Sequence, residues 1–170
     1  MSLLSRLLRP RDDHAEVRGL WHRVVAIARE PGWYRHGGVA DTIEGRFDAV
    51  TLVLSLALLR MERDSALAGP SARLTELFVS DMDSQLRESG VGDLVVGKKI
   101  GRLMSVLGGR LGAYREGLAA DGTELAEAVG RNVTLIDGAT PDAVAKDMRV
   151  IAAQLDGLDS AALLAGEIAR

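Results

Sequence analysis

Cysteine is absent from the chain, which removes disulfide frameworks, zinc fingers, iron–sulfur clusters and thiol nucleophiles at once. Three histidines, His14, His22 and His36, are left to share a metal or acid–base chemistry with carboxylates, and no nucleophile motif accompanies them. No catalytic residue, metal-ligand set or cofactor site is therefore expected. A long apolar run is missing too: the longest, from Ala49 to Leu59, is interrupted by Thr51 and Ser55 and falls short of the roughly 20 residues that cross a bilayer. Excess positive charge is also lacking, since the net charge is -3, and nucleic acid is disfavoured as a partner. Period-two alternation of β-branched residues is nearly absent, so strands are not expected.

What remains is a chain of 170 residues, 47% of them hydrophobic, which suits one globular domain with a substantial core. Residues 1–12 read as a flexible amphipathic N-terminus, with Leu3, Leu4, Leu7 and Leu8 beside Arg6, Arg9 and Arg11. This patch is too short for the apolar core of a signal peptide and suits either a frayed end or contact with an anionic membrane surface. The domain proper spans 13–170.

Helix starts recur where an acid or hydroxyl is followed three residues later by an acid, as in Asp13 with Glu16, Asp41 with Glu44 and Asp121 with Glu124; Thr140 before Pro141 is another. Helices are predicted near 13–30, 41–67, 71–89, 94–119, 121–133, 141–155 and 159–168, giving an all-α, single-domain bundle of about six or seven helices. The Pro31–Gly38 connection, rich in turn residues, breaks both neighbours, and its rings are expected to pin it to the core. In the second helix Ile43, Phe47, Val50, Leu54, Leu58 and Met61 recur at three and four, leaving Glu44, Asp48, Thr51, Ser55 and Glu62 as a narrow outward polar stripe. It is predicted to be the central helix.

The next two helices are joined by Ser89-Gly90-Val91-Gly92-Asp93, where a glycine suits a left-handed C-terminal cap and Asp93 caps the second of the pair. The first limb is acidic, with Glu76, Asp81, Asp83, Glu88 and Asp93 against Arg87, and the second basic, with Lys98, Lys99, Arg102, Arg110 and Arg115 and no acid until Glu116. At about 100° per residue Asp81 falls inside the apolar arc of Leu74, Leu77, Phe78, Met82 and Leu86, and Asp83 lies opposite. A carboxylate on an apolar face needs backbone N–H groups or a cation, for which Arg46, Lys99 and Arg102 are the candidates. The basic limb carries one apolar face from Val96 to Leu118 and, beside it, a strip of Gly97, Gly101, Gly108 and Gly112. Each interior glycine costs about 0.5 to 1 kcal/mol relative to alanine, and the expected compensation is close approach of another helix, from this chain or from a partner. Lys98 and Arg102 project from the side opposite the apolar face, placed to meet an acidic partner or phospholipid headgroups. A phosphate-cradling reading of Gly90-Val91-Gly92 with Gly97-Lys98-Lys99 lacks both a preceding strand and the spacing of nucleotide-binding loops. The predicted partner-binding residues are Asp83, Lys98, Lys99, Arg102, Gly97, Gly101, Gly108 and Gly112.

The block from Leu77 to Leu118, with its Asp81-Met82-Asp83, Leu86-Arg87-Glu88, Gly90-Val91-Gly92-Asp93-Leu94 and Gly97-Lys98-Lys99, resembles the ubiquinol-cytochrome c chaperone family. A second block, Gly38 to Met61, is similar to that family's other recognisable segment, with Asp41, Thr42, Gly45, Arg46 and Phe47 in register. Asp41, Arg46, Asp81, Gly90, Gly92 and Asp93 are accordingly assigned to the structural motif. The chain departs from the pattern at Ala40, where many members have proline, and at Val53, where many have histidine, so a haem-ligand role has no residue at that position. The resemblance implies an all-α, non-catalytic assembly factor that binds newly made cytochrome b at the membrane and promotes building of the cytochrome bc1 complex. Compact size without mitochondrial presequence features points to a bacterial cytoplasmic setting, and peripheral association with the membrane is expected there. The alternative is a helical small-molecule or lipid-binding protein with a pocket between the central helix and the Trp33–His36 loop.

Overall fold

The structure, a computed structural model, describes residues 14–88 and 93–169, with the side chains of 85–100 excepted. It is all-α, as predicted. In chain order the helices are α1 (Arg18–Ala28), α2 (Pro31–Arg35), α3 (Ile43–Met61), α4 (Ala68–Glu88), α5 (Asp93–Ala119), α6 (Glu124–Asn132), α7 (Asp142–Asp156) and α8 (Ser160–Ala165), with a 3-10 turn at Ser65–Leu67 before α4. The predicted 1–12 segment lies outside the described residues.

Several helices start with chemistry other than the paired acids suggested. At α3 it is Thr42 whose hydroxyl accepts from the Gly45 N–H at 3.2 Å, while Asp41 turns outward and accepts from Arg46 Nε at 2.7 Å. Glu16 pairs with Arg73 of α4, and α1 begins only at Arg18. Thr123 precedes α6 and spends its hydroxyl on Glu127 at 3.0 Å. The predicted 41–67 helix is two elements: α3 stops at Met61, and Asp64 accepts from the Ala66 N–H at 2.9 Å to start the 3-10 turn. Ser160 donates to the same carboxylate at 2.6 Å, tying in the start of α8 and holding the Asp64 carboxyl below its usual range together with the Ala66 N–H.

The aromatic connection folds into the short helix α2. Trp33 is buried and its indole donates to the Ile27 carbonyl at 2.8 Å, while the Tyr34 hydroxyl donates to that of Ala28 at 2.9 Å. Both acceptors are carbonyls in the last turn of α1, and that of Ile27 also accepts the Glu30 N–H at 3.1 Å. Beyond α2 the chain forms a single antiparallel bridge, Val39 with Leu135, flanked by Ala40 N–H to Thr134 O and Ile136 N–H to Gly38 O, each 2.9 Å. This clasp brings the α6–α7 connection to the foot of α3. Nothing in the periodicity signals it.

The central position of α3 follows from its composition: it packs on α1, α5 and α7, and residues 51–59 are all buried. The outward stripe predicted for it is corrected here, because Asp48, Thr51 and Ser55 are buried with the rest. Ser55 hydrogen-bonds back to the Thr51 carbonyl at 2.6 Å, and Asp48 and Thr51 meet the Arg110 guanidinium from α5.

The C-terminal end of α5 is locked. Arg149 of α7 donates to the carbonyls of Gly117, Leu118 and Ala120 at 3.1, 3.2 and 2.7 Å, replacing the partners that a helix end lacks. A Cβ on Gly117 would stand 2.7 Å from Leu125 Cα, so here a side-chain-free residue does let α6 approach. One turn earlier, Tyr114 is wholly buried and its hydroxyl has no partner among the described residues; burial pushes its ionisation up to about 12. Since the folded state binds that proton more tightly than the unfolded state, stability is unaffected below pH 10 and falls between 10 and 12. The loss amounts to about 2 to 3 kcal/mol. Alkaline titration followed at the tyrosinate band should show Tyr114 ionising near 12 or only with unfolding; ionisation at 10 in folded protein would contradict this burial.

Candidate functional site

A cavity of about 1090 Å³ opens between helices α1, α3, α4 and α5. Its apolar walls come from Trp21 and Val25 of α1, Phe47 and Val50 of α3, Met82 of α4, and Leu103 and Val106 of α5, with Tyr34 and Val133 closing the ends. Aromatic contacts stiffen one side: the Trp21 ring meets Phe78 edge-on at 6.1 Å between centroids, and Phe47 lies 6.4 Å from Phe78.

Beneath these walls runs a buried polar network. Arg110 of α5 donates to the Asp48 carboxylate and to the Thr51 hydroxyl, and its guanidinium carbon lies 5.6 Å from the centre of the Phe47 ring. The second Asp48 oxygen accepts from Thr134 twice, from its N–H at 2.8 Å and its hydroxyl at 2.7 Å. One acid thus joins α3, α5 and the clasp. The pair is electrically neutral, as burial demands.

The mouth is charged. Arg29, Arg46 and Arg131 stand exposed around it with Glu44 and Asp81. The Arg46 hydrogen bond holds the Asp41 carboxyl below the usual carboxylate range, and Asp41 in turn raises the guanidinium's. Burial raises the Tyr34 phenol, opposed by the nearby charges of Arg46 and Arg29.

Of the residues singled out in the sequence, Arg46 and Asp81 line this cavity. Asp81 does find a partner, but it is the Trp21 indole, donating at 2.9 Å, and Arg46 is taken by Asp41. The expected inward and outward aspartates are reversed: Asp81 is exposed at the cavity edge and Asp83 is half-buried. An indole N–H at the margin of the apolar arc reaches a carboxylate that keeps its access to water, so no cation is required. Gly101, Gly108 and Gly112 point away from the cavity, about 140° to 180° around α5 from Leu103, and a Cβ on any of them would meet nothing within 4 Å. The close approach of another helix of this chain, expected to compensate these glycines, is therefore not found at these three. Arg102 is exposed. Asp93, Gly97, Lys98 and Lys99 belong to α5 with side chains outside those described, and Gly90 and Gly92 lie outside the described residues.

The comparison with known proteins is decided by the family model described as ubiquinol-cytochrome c chaperone, which matches residues 35–170. The chain belongs to the ubiquinol-cytochrome c chaperone family. The crystal structure of the Cbp3 homolog from Brucella abortus superposes with a TM-score of 0.79 at 32% identity, covering 98% of this chain and 95% of that one. Nothing among the curated proteins matches. The family region of this ubiquinol-cytochrome c chaperone includes both sequence blocks that carried the resemblance, and every cavity wall from α3 onward; the α1 wall precedes it. Among the described residues of this family member, no helix is long and apolar enough to cross a membrane, and no group of three or more His, Asp or Glu side chains is placed to hold a metal.

Sequence reasoning missed Asp48, Thr51, Arg110 and Thr134. The available signal was an aspartate in the middle of a helix otherwise too apolar to have an outside.

Proposed function

We propose that this protein is a non-catalytic assembly factor that binds newly made cytochrome b and promotes assembly of the cytochrome bc1 complex, working at the cytoplasmic face of a bacterial membrane with which it associates peripherally. The family match over residues 35–170 carries this reading, and the 32% identity to the Brucella abortus homolog over nearly the whole chain supports it. The contact face we assign is on α5, comprising Gly97, Lys98, Lys99, Gly101, Arg102, Gly108 and Gly112, together with Asp83 of α4. Its support is the open space at Gly101, Gly108 and Gly112, where the client's backbone can approach without meeting a side chain of this chain.

Deleting the gene should lower assembled cytochrome b and bc1 activity together; normal levels of both would sink the assignment. Charge reversal at Lys98 and Arg102, in a variant that melts like the parent, should weaken crosslinking to cytochrome b several-fold. Unchanged crosslinks would remove this face from the proposal while leaving the client in place.

A further inference from the structure

Most polar groups in the interior of the cavity are engaged with one another or with backbone carbonyls. The Trp21 indole is spent on Asp81, the Tyr34 hydroxyl on the Ala28 carbonyl, the Asn132 amide on the Ala128 carbonyl at 2.8 Å, and Thr134 on Asp48. Arg110 donates to Asp48 and Thr51 through its two terminal nitrogens and lies against Phe47, while its buried Nε has no partner among the described residues. A peptide segment in extended form would bring a backbone N–H and C=O into this interior at every residue and find few partners for them, a costly arrangement. What fits is a body with no polar groups, set against Val25, Phe47, Val50, Met82, Leu103 and Val106. The volume, about 1090 Å³, is at the upper end for sites that take compact organic ligands.

At the mouth the chemistry changes sign. Arg29 is exposed beside Tyr34 at the end of α1 and has no carboxylate partner among the described residues, unlike Arg46, which is held by Asp41. Glu44 lies at the mouth on the first turn of α3, which leaves the Arg29 side as the place for an anion. We infer that the cavity binds the aliphatic chain of an anionic amphiphile, its tail along the apolar walls and its carboxylate or phosphate head at Arg29. The site is separate from the outer face of α5 assigned to cytochrome b, and it stands or falls without that assignment.

The test uses the full chain, stripped of bound lipid, titrated with the fluorescent fatty acid cis-parinaric acid and with its uncharged methyl ester. The acid should bind saturably at one per chain; Arg29→Glu should weaken it about tenfold and leave the ester unaffected, and Leu103→Trp, which fills the cavity, should weaken both. Competition by palmitate against phosphatidylglycerol vesicles then tells a free acid from a membrane lipid as the source of the head. Absence of saturable binding by the parent protein overturns the inference, as does equal affinity for the acid in Arg29→Glu. Binding of a leucine-rich helical peptide in the cavity by a protein that ignores the acid would overturn it as well. Should Leu103→Trp fail to fold, Arg29→Glu decides alone, because that side chain is exposed. No client is present in the assay, so a negative result leaves the chaperone reading untouched.

Discussion

Replacing Asp48 with alanine should destabilise the protein by about 3 to 5 kcal/mol, because it strands the buried Arg110 charge and leaves the Thr134 N–H without its acceptor. For a chain of this length that is a fall in melting temperature of roughly 10 °C or more. The double variant Asp48→Leu with Arg110→Met removes both charges together and should recover most of the loss, since apolar side chains of similar size often replace a buried pair without penalty. Removing the exposed pair of Arg115 with Glu62 is the control: its 2.8 Å contact is open to water on both sides, and its loss should cost less than about 1 kcal/mol. Thermal and urea unfolding of the four proteins decides the matter. Parent-like stability for Asp48→Ala, or no recovery in the double variant, would refute the role given to this network.

The glycines should divide into two classes with opposite signs. A methyl group on Gly45 would fall on the Ala40 carbonyl, a backbone atom of the turn that leads from the clasp into α3. Gly45→Ala must therefore move that turn, at a cost of about 3 kcal/mol, at the severe end for overpacking. Gly101→Ala, Gly108→Ala and Gly112→Ala meet open space instead and should each raise stability by about 0.5 to 1 kcal/mol, the ordinary gain of alanine inside a helix. If the outer face of α5 holds cytochrome b, the same three substitutions weaken crosslinking to it while the protein itself becomes harder to unfold. A mutant more stable and still fully able to capture its client would show that the glycines serve neither purpose.

The sequence carries the all-α class and the course of α5 because both rest on repeated signals: helical periodicity in one segment after another, and an apolar face on which Leu107 and Tyr114 are buried and Leu103 and Leu111 half-buried. It misplaces Asp48, Thr51 and Ser55 for a physical reason. Periodicity sorts residues by polarity, and a polar stripe that faces a partner cation is indistinguishable from one that faces water. The cation, Arg110, lies 62 residues further along and looks like one more charge on a basic helix. Asp81 fails in the opposite direction, since its helical phase says inside while the residue is exposed and accepts from the indole of buried Trp21. The clasp was out of reach altogether, being two short loops matched in space with no composition of their own. For the glycines, sequence showed that a reason is needed, and the structure places crowded ones elsewhere, Gly45 and Gly117 among them.

The grip of Arg149 and Gly117 on one end of α5 has a mechanical side. The helix runs from Asp93 to Ala119, so about 36 Å of it extends beyond Gly117. Buried Tyr114, Arg110 and Leu107 hold the first part of that length, which leaves about 21 Å, from Leu107 to Asp93, as the lever: a tilt of about 5° there would carry the far end through about 2 Å. Leu103 and Val106, next to the pivot, would move least, so the cavity wall keeps its place while the Asp93 end is displaced.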